Sequence, residues 1–254
     1  MLGTSMAIWQ PNKLPVADSG IPPDFPNDVI ALGPYLYYRC NETSGDAPNM
    51  LDASGNGRTG LFTTAPSGPS LLTGRPTEKS YPPPGRPRTT QSFGGSHLLS
   101  STTEGWTLQI LMQQTAANSG GAGFFMSVGN SSTNVPSLLT TNVSSPSGFR
   151  VVASRYFVKD EIFSSVVHPY GSTVLVHLRH TNATSTLELF ENGVLTGSKV
   201  GASFSYYGAG AYFADCPHPV YGSYDYPLNG FVSDVALFRK LLTNVQITQL
   251  ASGI

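Results

Sequence analysis

From residue 92 onward, apolar and polar positions change over with a period of two rather than 3.6. Val174, Val176 and Leu178 alternate with Leu175, His177 and Arg179. Val235 and Leu237 alternate with Asp234, Ala236 and Phe238. That period predicts strands with one face turned to a core. Phe190-Glu191-Asn192-Gly193-Val194-Leu195 predicts a hairpin, because Asn-Gly supplies both positive φ values of a type I′ turn. The convincing helix is the last element. Thr243 stands three residues before Gln246, the spacing of a capping box, and Gly253 is placed to close a short helix.

Proline interrupts this pattern twice. Pro11, Pro15, Pro22, Pro23, Pro26 and Pro34 remove backbone donors and bias residues 1–34 toward polyproline-like extension. The expectation is an extended arm over 1–34 followed by one domain over 35–254. Such an arm needs something to lie against, either its own domain or a neighbouring chain. As a tether between subunits, it should be removable at residue 33 without unfolding the domain. Residues 64–91, centred on Tyr81-Pro82-Pro83-Pro84-Gly85, read as a rigid surface loop, with a proline-recognition ligand as the weaker reading.

Composition narrows the classes. A hydrophobic content of 39% fills a sandwich core, and 254 residues suit one large all-β domain. Charged residues make up only 11%, against roughly 25% in ordinary soluble domains. Either the chain is rich in turns, or partners cover much of its surface. With a net charge of −1 and no Lys/Arg cluster, nucleic acid is not expected as a partner. No apolar run approaches the roughly 18 residues of a membrane helix, so membrane insertion is not expected. Cys40 and Cys216 are too few for a disulfide framework. Cys40 reads as a small buried hydrophobe, and its pairing with Cys216 stays open. The first ten residues lack the basic and apolar regions of a secretory signal. The sequons at Asn41, Asn130, Asn142 and Asn182 therefore read as chance.

Several short motifs occur in one order. Tyr37-Tyr38-Arg39-Cys40-Asn41-Glu42-Thr43-Ser44-Gly45 is followed by Asp52-Ala53-Ser54-Gly55-Asn56-Gly57 and Ser92-Phe93-Gly94-Gly95-Ser96. Glu104-Gly105-Trp106-Thr107-Leu108, Leu187-Glu188-Leu189-Phe190-Glu191-Asn192-Gly193-Val194 and the closing Gly230-Phe231-Val232-Ser233-Asp234-Val235 come next. In this order the chain, over roughly residues 35–252, resembles laminin-G-like domains of the concanavalin A-like lectin and glucanase group. The resemblance implies an all-β jelly-roll sandwich with a short C-terminal helix. It also implies a calcium site built from the Asp52–Gly57 loop and an acid on the last strand. Ser233 stands where that acid is usual, and strand alternation turns Asp234 to the other face. No metal and no cofactor are therefore expected, with Asp52 and Asn56 making a tight turn.

Catalytic sets are absent from the spelling. Glycoside hydrolysis generally needs two carboxyl groups on one face. Glu188 and Glu191 are three apart and diverge on a strand, and the adjacent Asp160 and Glu161 diverge as well. No G-x-S-x-G elbow occurs. His97, His168, His177, His180 and His218 sit in unrelated contexts and read as structural or surface residues. The chain is thus read as non-enzymatic. Aromatic residues crowd between Tyr206 and Tyr226, with Asp215, His218 and Asp225 interleaved. Tyr221, Tyr224 and Tyr226 are the candidate contacts, either to a glycan or to a partner chain.

The sequence-level expectation is a structural protein of a bacteriophage particle, a minor tail or capsid-decoration protein. Its arm would engage other virion subunits in a homo- or hetero-oligomeric assembly, and its laminin-G-like domain would contact cell-surface carbohydrate. The alternative is a carbohydrate-binding module of a secreted enzyme or adhesin, located outside the cell.

Overall fold

The alternating strands pair into two antiparallel sheets. They are seen in a computed structural model that describes residues 24–43, 49–58, 60–61, 66–81, 99, 102–118, 121–128, 136–155, 158–202, 204, 211–213 and 228–254. The strands are β1 (Leu36–Tyr38), β2 (Asn49–Met50), β3 (Gly60–Leu61), β4 (Gly105–Gln114), β5 (Ala122–Val128), β6 (Pro136–Ser144) and β7 (Ser147–Arg155). They continue as β8 (Val158–Phe163), β9 (Thr173–Thr181), β10 (Thr186–Glu191), β11 (Val194–Val200), β12 (Ala211–Phe213) and β13 (Gly230–Phe238). One sheet runs β1-β13-β4-β9-β10-β11 and the other β12-β5-β6-β7-β8, with β2 and β3 as a small separate pair. This is the jelly-roll β-sandwich expected from the sequence.

Between the sheets lie Trp106, Leu108, Ile110 and Met112 of β4, Val174, Val176 and Leu178 of β9, and Val232, Val235 and Leu237 of β13. They meet Met126, Leu138, Phe149, Val151 and Ala153 from the opposite sheet. Each such side chain contributes about 1.5–3 kcal/mol by leaving water. The other face of the six-stranded sheet is buried too. Tyr37, Leu111, Leu175, Phe190, Ala236 and Phe238 pack under helices α1 (Phe25–Ala31) and α2 (Asn244–Ala251) and under Leu71 and Leu72. Strands β4, β9 and β13 are therefore apolar on both sides, which is why Leu175 and Phe238 blur their alternation.

Helix α1 departs from the extended arm expected over 1–34. Its Pro26 lies in the first turn, where a missing N–H breaks no helical bond. Phe25 and Val29 have no exposure at all. Asp24 ties the helix start to the 66–81 segment by accepting from Arg75 Nη2 at 2.6 Å. Residues 1–23 lie outside the described residues. The second Pro-rich stretch also differs from a surface loop over its described part, 66–81. Leu71 and Leu72 join the outer layer, and Tyr81 enters the main core.

The C-terminal region follows the sequence closely. Asn192 and Gly193 turn at φ +48° and +83°. Thr243 Oγ1 accepts from the Gln246 N–H at 3.2 Å, and Gln246 Oε1 accepts from the Thr243 N–H at 2.9 Å. Helix α2 lies against the β10–β11 turn, where Thr248 Oγ1 donates to the Gly193 carbonyl at 3.2 Å. A Cβ on Gly193 would come within 3.0 Å of Thr248 Cα, so the close approach needs glycine. The helix ends on Ser252 in a right-handed conformation, with Gly253 donating to the Leu250 carbonyl.

Candidate functional site

With much of the six-stranded sheet covered by helices, the other outer sheet face among the described residues is that of the five-stranded sheet, open only toward Thr141, Arg150 and Phe163. On β7, Phe149, Val151 and Ala153 point into the core, so Arg150, Val152 and Ser154 point outward. Their partners on β6 are Thr141, Leu139 and Ser137. Val152 also pairs with Phe163 of β8, whose ring is half exposed. The middle of this face is buried at Ser137, Leu139, Val152 and Ser154, whereas Thr141 and Arg150 are half-buried. Hydroxyl groups, a guanidinium and aliphatic side chains thus share one side of the sheet, and only its Thr141–Arg150 end and Phe163 reach solvent. The sequence reading missed it, because R-V-V-A-S mixes polar and apolar residues on its outward face.

Tyr221, Tyr224 and Tyr226 lie outside the described residues, as do Cys216, His97 and His218. Their segment joins β12, an edge strand of the five-stranded sheet, to β13. Its C-terminal root is held at one end of the sandwich by amides. The Asn229 N–H donates to Asn118 Oδ1 at 2.7 Å, and Asn118 Nδ2 donates to Thr140 Oγ1 at 3.0 Å. Asn142 Oδ1 accepts from the Asn118 N–H at 3.0 Å and from Gln114 Nε2 at 3.2 Å. Asn142 Nδ2 donates to the Asn118 carbonyl, and Asn182 Nδ2 donates to the Thr102 carbonyl. The amides of these two sequons are thus engaged inside the fold.

The last strand breaks its alternation at a bulge. Ser233 pairs with Leu111 and Ala236 with Gln109, so Asp234 and Val235 together oppose Ile110. Asp234 takes φ +51°, a conformation that Asp and Asn tolerate better than most residues. Its carboxyl is buried and accepts from Tyr37 Oη at 2.5 Å. Burial pushes its pKa up from 3.8 to about 6, against the opposing hydrogen bond from Tyr37. The Asp234 carbonyl accepts from Gln109 Nε2 at 3.3 Å, and Gln109 Oε1 faces His177 Nε2 at 3.1 Å. His177 therefore carries its proton on Nε2, and burial lowers its pKa to about 3. The nearby Cys40 is a free, buried thiol whose pKa is raised by burial.

The loop compared above with a calcium site is closed by its own hydrogen bonds. Asp52 Oδ1 accepts from the N–H groups of Tyr37 and Ser54, both at 3.0 Å, and Oδ2 accepts from Arg58 N–H at 2.8 Å. Asn56 Nδ2 donates to the carbonyls of Pro34 and Tyr35 at 3.1 and 3.2 Å. Among the described residues, no three His, Cys, Asp or Glu side chains are grouped to hold a metal ion. EGTA is accordingly expected to leave the melting temperature unchanged. Asp52→Ala, which strands three N–H groups, should cost about 2–3 kcal/mol in urea unfolding. A melting point that falls with EGTA and recovers with Ca²⁺ would show the loop to be a metal site.

The remaining acids and histidines are used within the fold. Glu188 pairs with Arg179 at 2.8 Å on the outer side of β10. Glu191 faces inward, bonded to His168 and accepting from Thr196 Oγ1 at 3.1 Å. The two carboxylates therefore diverge, as strand alternation requires. His177 and His180 also diverge. His180 Nε2 bonds the Ala202 carbonyl at 2.9 Å, and its ring stacks on Trp106 at 5.4 Å.

No known family's sequence profile matches the chain, and no curated protein matches it either. Among solved structures, it is similar to the binding domain of botulinum neurotoxin DC, solved in complex with SialylT. There the identity is 14%, with 87% of this chain and 52% of that one covered, at a TM-score of 0.57. It is also similar to a sialidase of Trypanosoma rangeli, with 10% identity over 86% of this chain and 32% of that one, at a TM-score of 0.54. A third is the CBM40 of a Ruminococcus gnavus IT-sialidase bound to α2,3-sialyllactose. Its identity is 19% over 59% of this chain and 83% of that one, at a TM-score of 0.46. The first two likenesses show the fold, a jelly-roll β-sandwich. The chain spans about half of the toxin binding domain's length.

Proposed function

We propose that this chain is a non-catalytic carbohydrate-binding β-sandwich that takes its ligand on the five-stranded-sheet side. One observation carries the reading. Much of the six-stranded sheet is buried under α1, α2 and residues 66–81, while the opposite sheet carries Thr141 and Arg150, both only half-buried, on its outer side. A guanidinium beside a hydroxyl suits a polyhydroxylated ligand, with Tyr221, Tyr224 and Tyr226 kept as candidate stacking residues. The test is a glycan array probed with the full chain and with Tyr224→Ala. The expected result is a signal well above background that Tyr224→Ala abolishes without changing the melting temperature. An array at background for the intact chain overturns the reading.

The second reading is a structural subunit of a bacteriophage particle, placed on the virion surface and joined to its neighbours through the N-terminal residues. The charged content of 11% favours it, because protein neighbours cover a surface of that kind better than one sugar does. Under this reading, Tyr224→Ala lowers incorporation into the particle and leaves the glycan array at background.

A further inference from the structure

We infer that the outer side of β11 and the adjoining flank of α2 form a docking surface for a second copy of this chain. The inference is independent of the carbohydrate-binding reading. Helix α2 packs over Leu175 of β9 and Phe190 of β10 but leaves the edge strand open. Leu195, Ser198 and Val200 of β11 oppose Phe190, Glu188 and Thr186 of β10. Phe190 lies in the layer under the helices, so these three side chains stand on the helix side of the sheet. Leu195 is 47% exposed and Val200 73%. On the helix, Thr248 bonds Gly193 at the head of β11, and Val245, one turn earlier, is 66% exposed. This ledge thus carries three of the eight large apolar side chains left exposed among the described residues.

Edge strands and surface helices are normally kept apart from other chains by charge. Here α2 has no charged residue, and none occurs from Asn192 to Ser198. Lys199 opposes the core residue Leu187 and so leaves β11 on the other side. Glu188, which borders the ledge, is paired with Arg179 at 2.8 Å. A charged partner surface would lose its hydration here without gaining a counter-charge. This chain itself supplies an uncharged match, a knob at Val245 and a ledge at Leu195 and Val200. A two-fold axis sets the knob of each copy on the ledge of the other, which makes the contact self-complementary and closed. The net charge of −1 adds little repulsion between copies. So few side chains support a weak dimer, with a Kd of about 10 µM.

The test is sedimentation velocity of the full chain over concentrations that bracket this Kd. The expected result is a rise from the mass of one chain to that of two. Val245→Glu, at an exposed first-turn position that favours an acid, and Val200→Lys, on an exposed edge, should each weaken dimerisation at least tenfold. Each substitution enters a two-fold contact twice, and neither should change the melting temperature of the monomer. An equimolar mixture of the two variants should dimerise again, because the new acid of one copy faces the new amine of the other. Leu51→Lys, at a half-exposed site beside β1 on the opposite edge of the sheet, should dimerise like the parent. A parent chain that stays monomeric throughout overturns the inference. So does a parent dimer that both variants leave intact, which puts the contact on another surface. A mixture that stays monomeric overturns the reciprocal placing of α2 on β11.

Discussion

Truncation at residue 33 is expected to lower the melting temperature by at least 10 °C. The arm read from the sequence was separable, but its C-terminal part is core. Truncation removes Phe25, Val29 and Leu32, all buried, and opens the cluster they share with Tyr37, Leu111, Leu175 and Ala236. The three lost side chains alone amount to about 5 kcal/mol or more of burial. For a domain of this size each kcal/mol moves the midpoint by about 2–4 °C. Phe25→Ala isolates the largest piece and should cost about 3–5 kcal/mol in urea unfolding. Binding of a fluorescent apolar dye to the truncated chain would register the bared sheet face. Should the truncated protein melt within about 2 °C of the full chain, α1 is dispensable and the tether idea regains its simple form. If the melting point falls as expected, lost incorporation into a particle after truncation reports lost folding, not a lost contact.

The elements that were legible in the sequence are those specified locally. The Asn192-Gly193 turn and the Thr243/Gln246 capping box depend on residues within a few positions of one another, and both formed as read. The ordered motifs likewise gave the sandwich. Helix α1 was hidden because its signal is tertiary. Seven residues beginning Phe25-Pro26 are too short to be helical alone, and Pro26 carries opposite meanings in an arm and in a first helical turn. The outer layer that α1 completes is visible only once β4 and β9 are known to be buried on both faces. The outer face of the five-stranded sheet had the same difficulty, because its half-buried Thr141 and Arg150 become neighbours only through the β6–β7 register. Asp234 lies with Tyr37 on the side of Ala236 and Phe238, opposite Val235 and Leu237, as the period of two assigned; the bulge and positive φ at Asp234 were not legible.

That bulge yields the last prediction, a stability gain that depends on pH. Asp234 has a pKa of about 6 in the fold against an ordinary 3.8, so the fold favours its protonated form. The associated stabilisation is complete below 3.8 and is lost as pH rises through about 6. At pH 8 the chain therefore holds a buried carboxylate costing about 3 kcal/mol relative to the neutral acid. Asp234→Asn removes the charge, keeps an oxygen for Tyr37 Oη, and tolerates the positive φ. It should raise the melting temperature at pH 8 by about 6 °C or more, and change it little at pH 4, where Asp234 is already protonated. His177 acts with the opposite sign. Its pKa of about 3 against an ordinary 6.5 gives stability present above 6.5 and lost as pH falls toward 3. Between pH 6 and 4 the two effects oppose each other, so the parent protein should show a shallow dependence. Without Asp234 to offset it, the variant should lose stability steadily over that window. Melting curves of both proteins from pH 4 to 8 test this directly. A variant no more stable than the parent at pH 8 would mean that the buried carboxylate is compensated by its neighbours Arg39 and Ser233. The buried Tyr37–Asp234–Gln109–His177 network would then be neutral to folding, not a built-in cost.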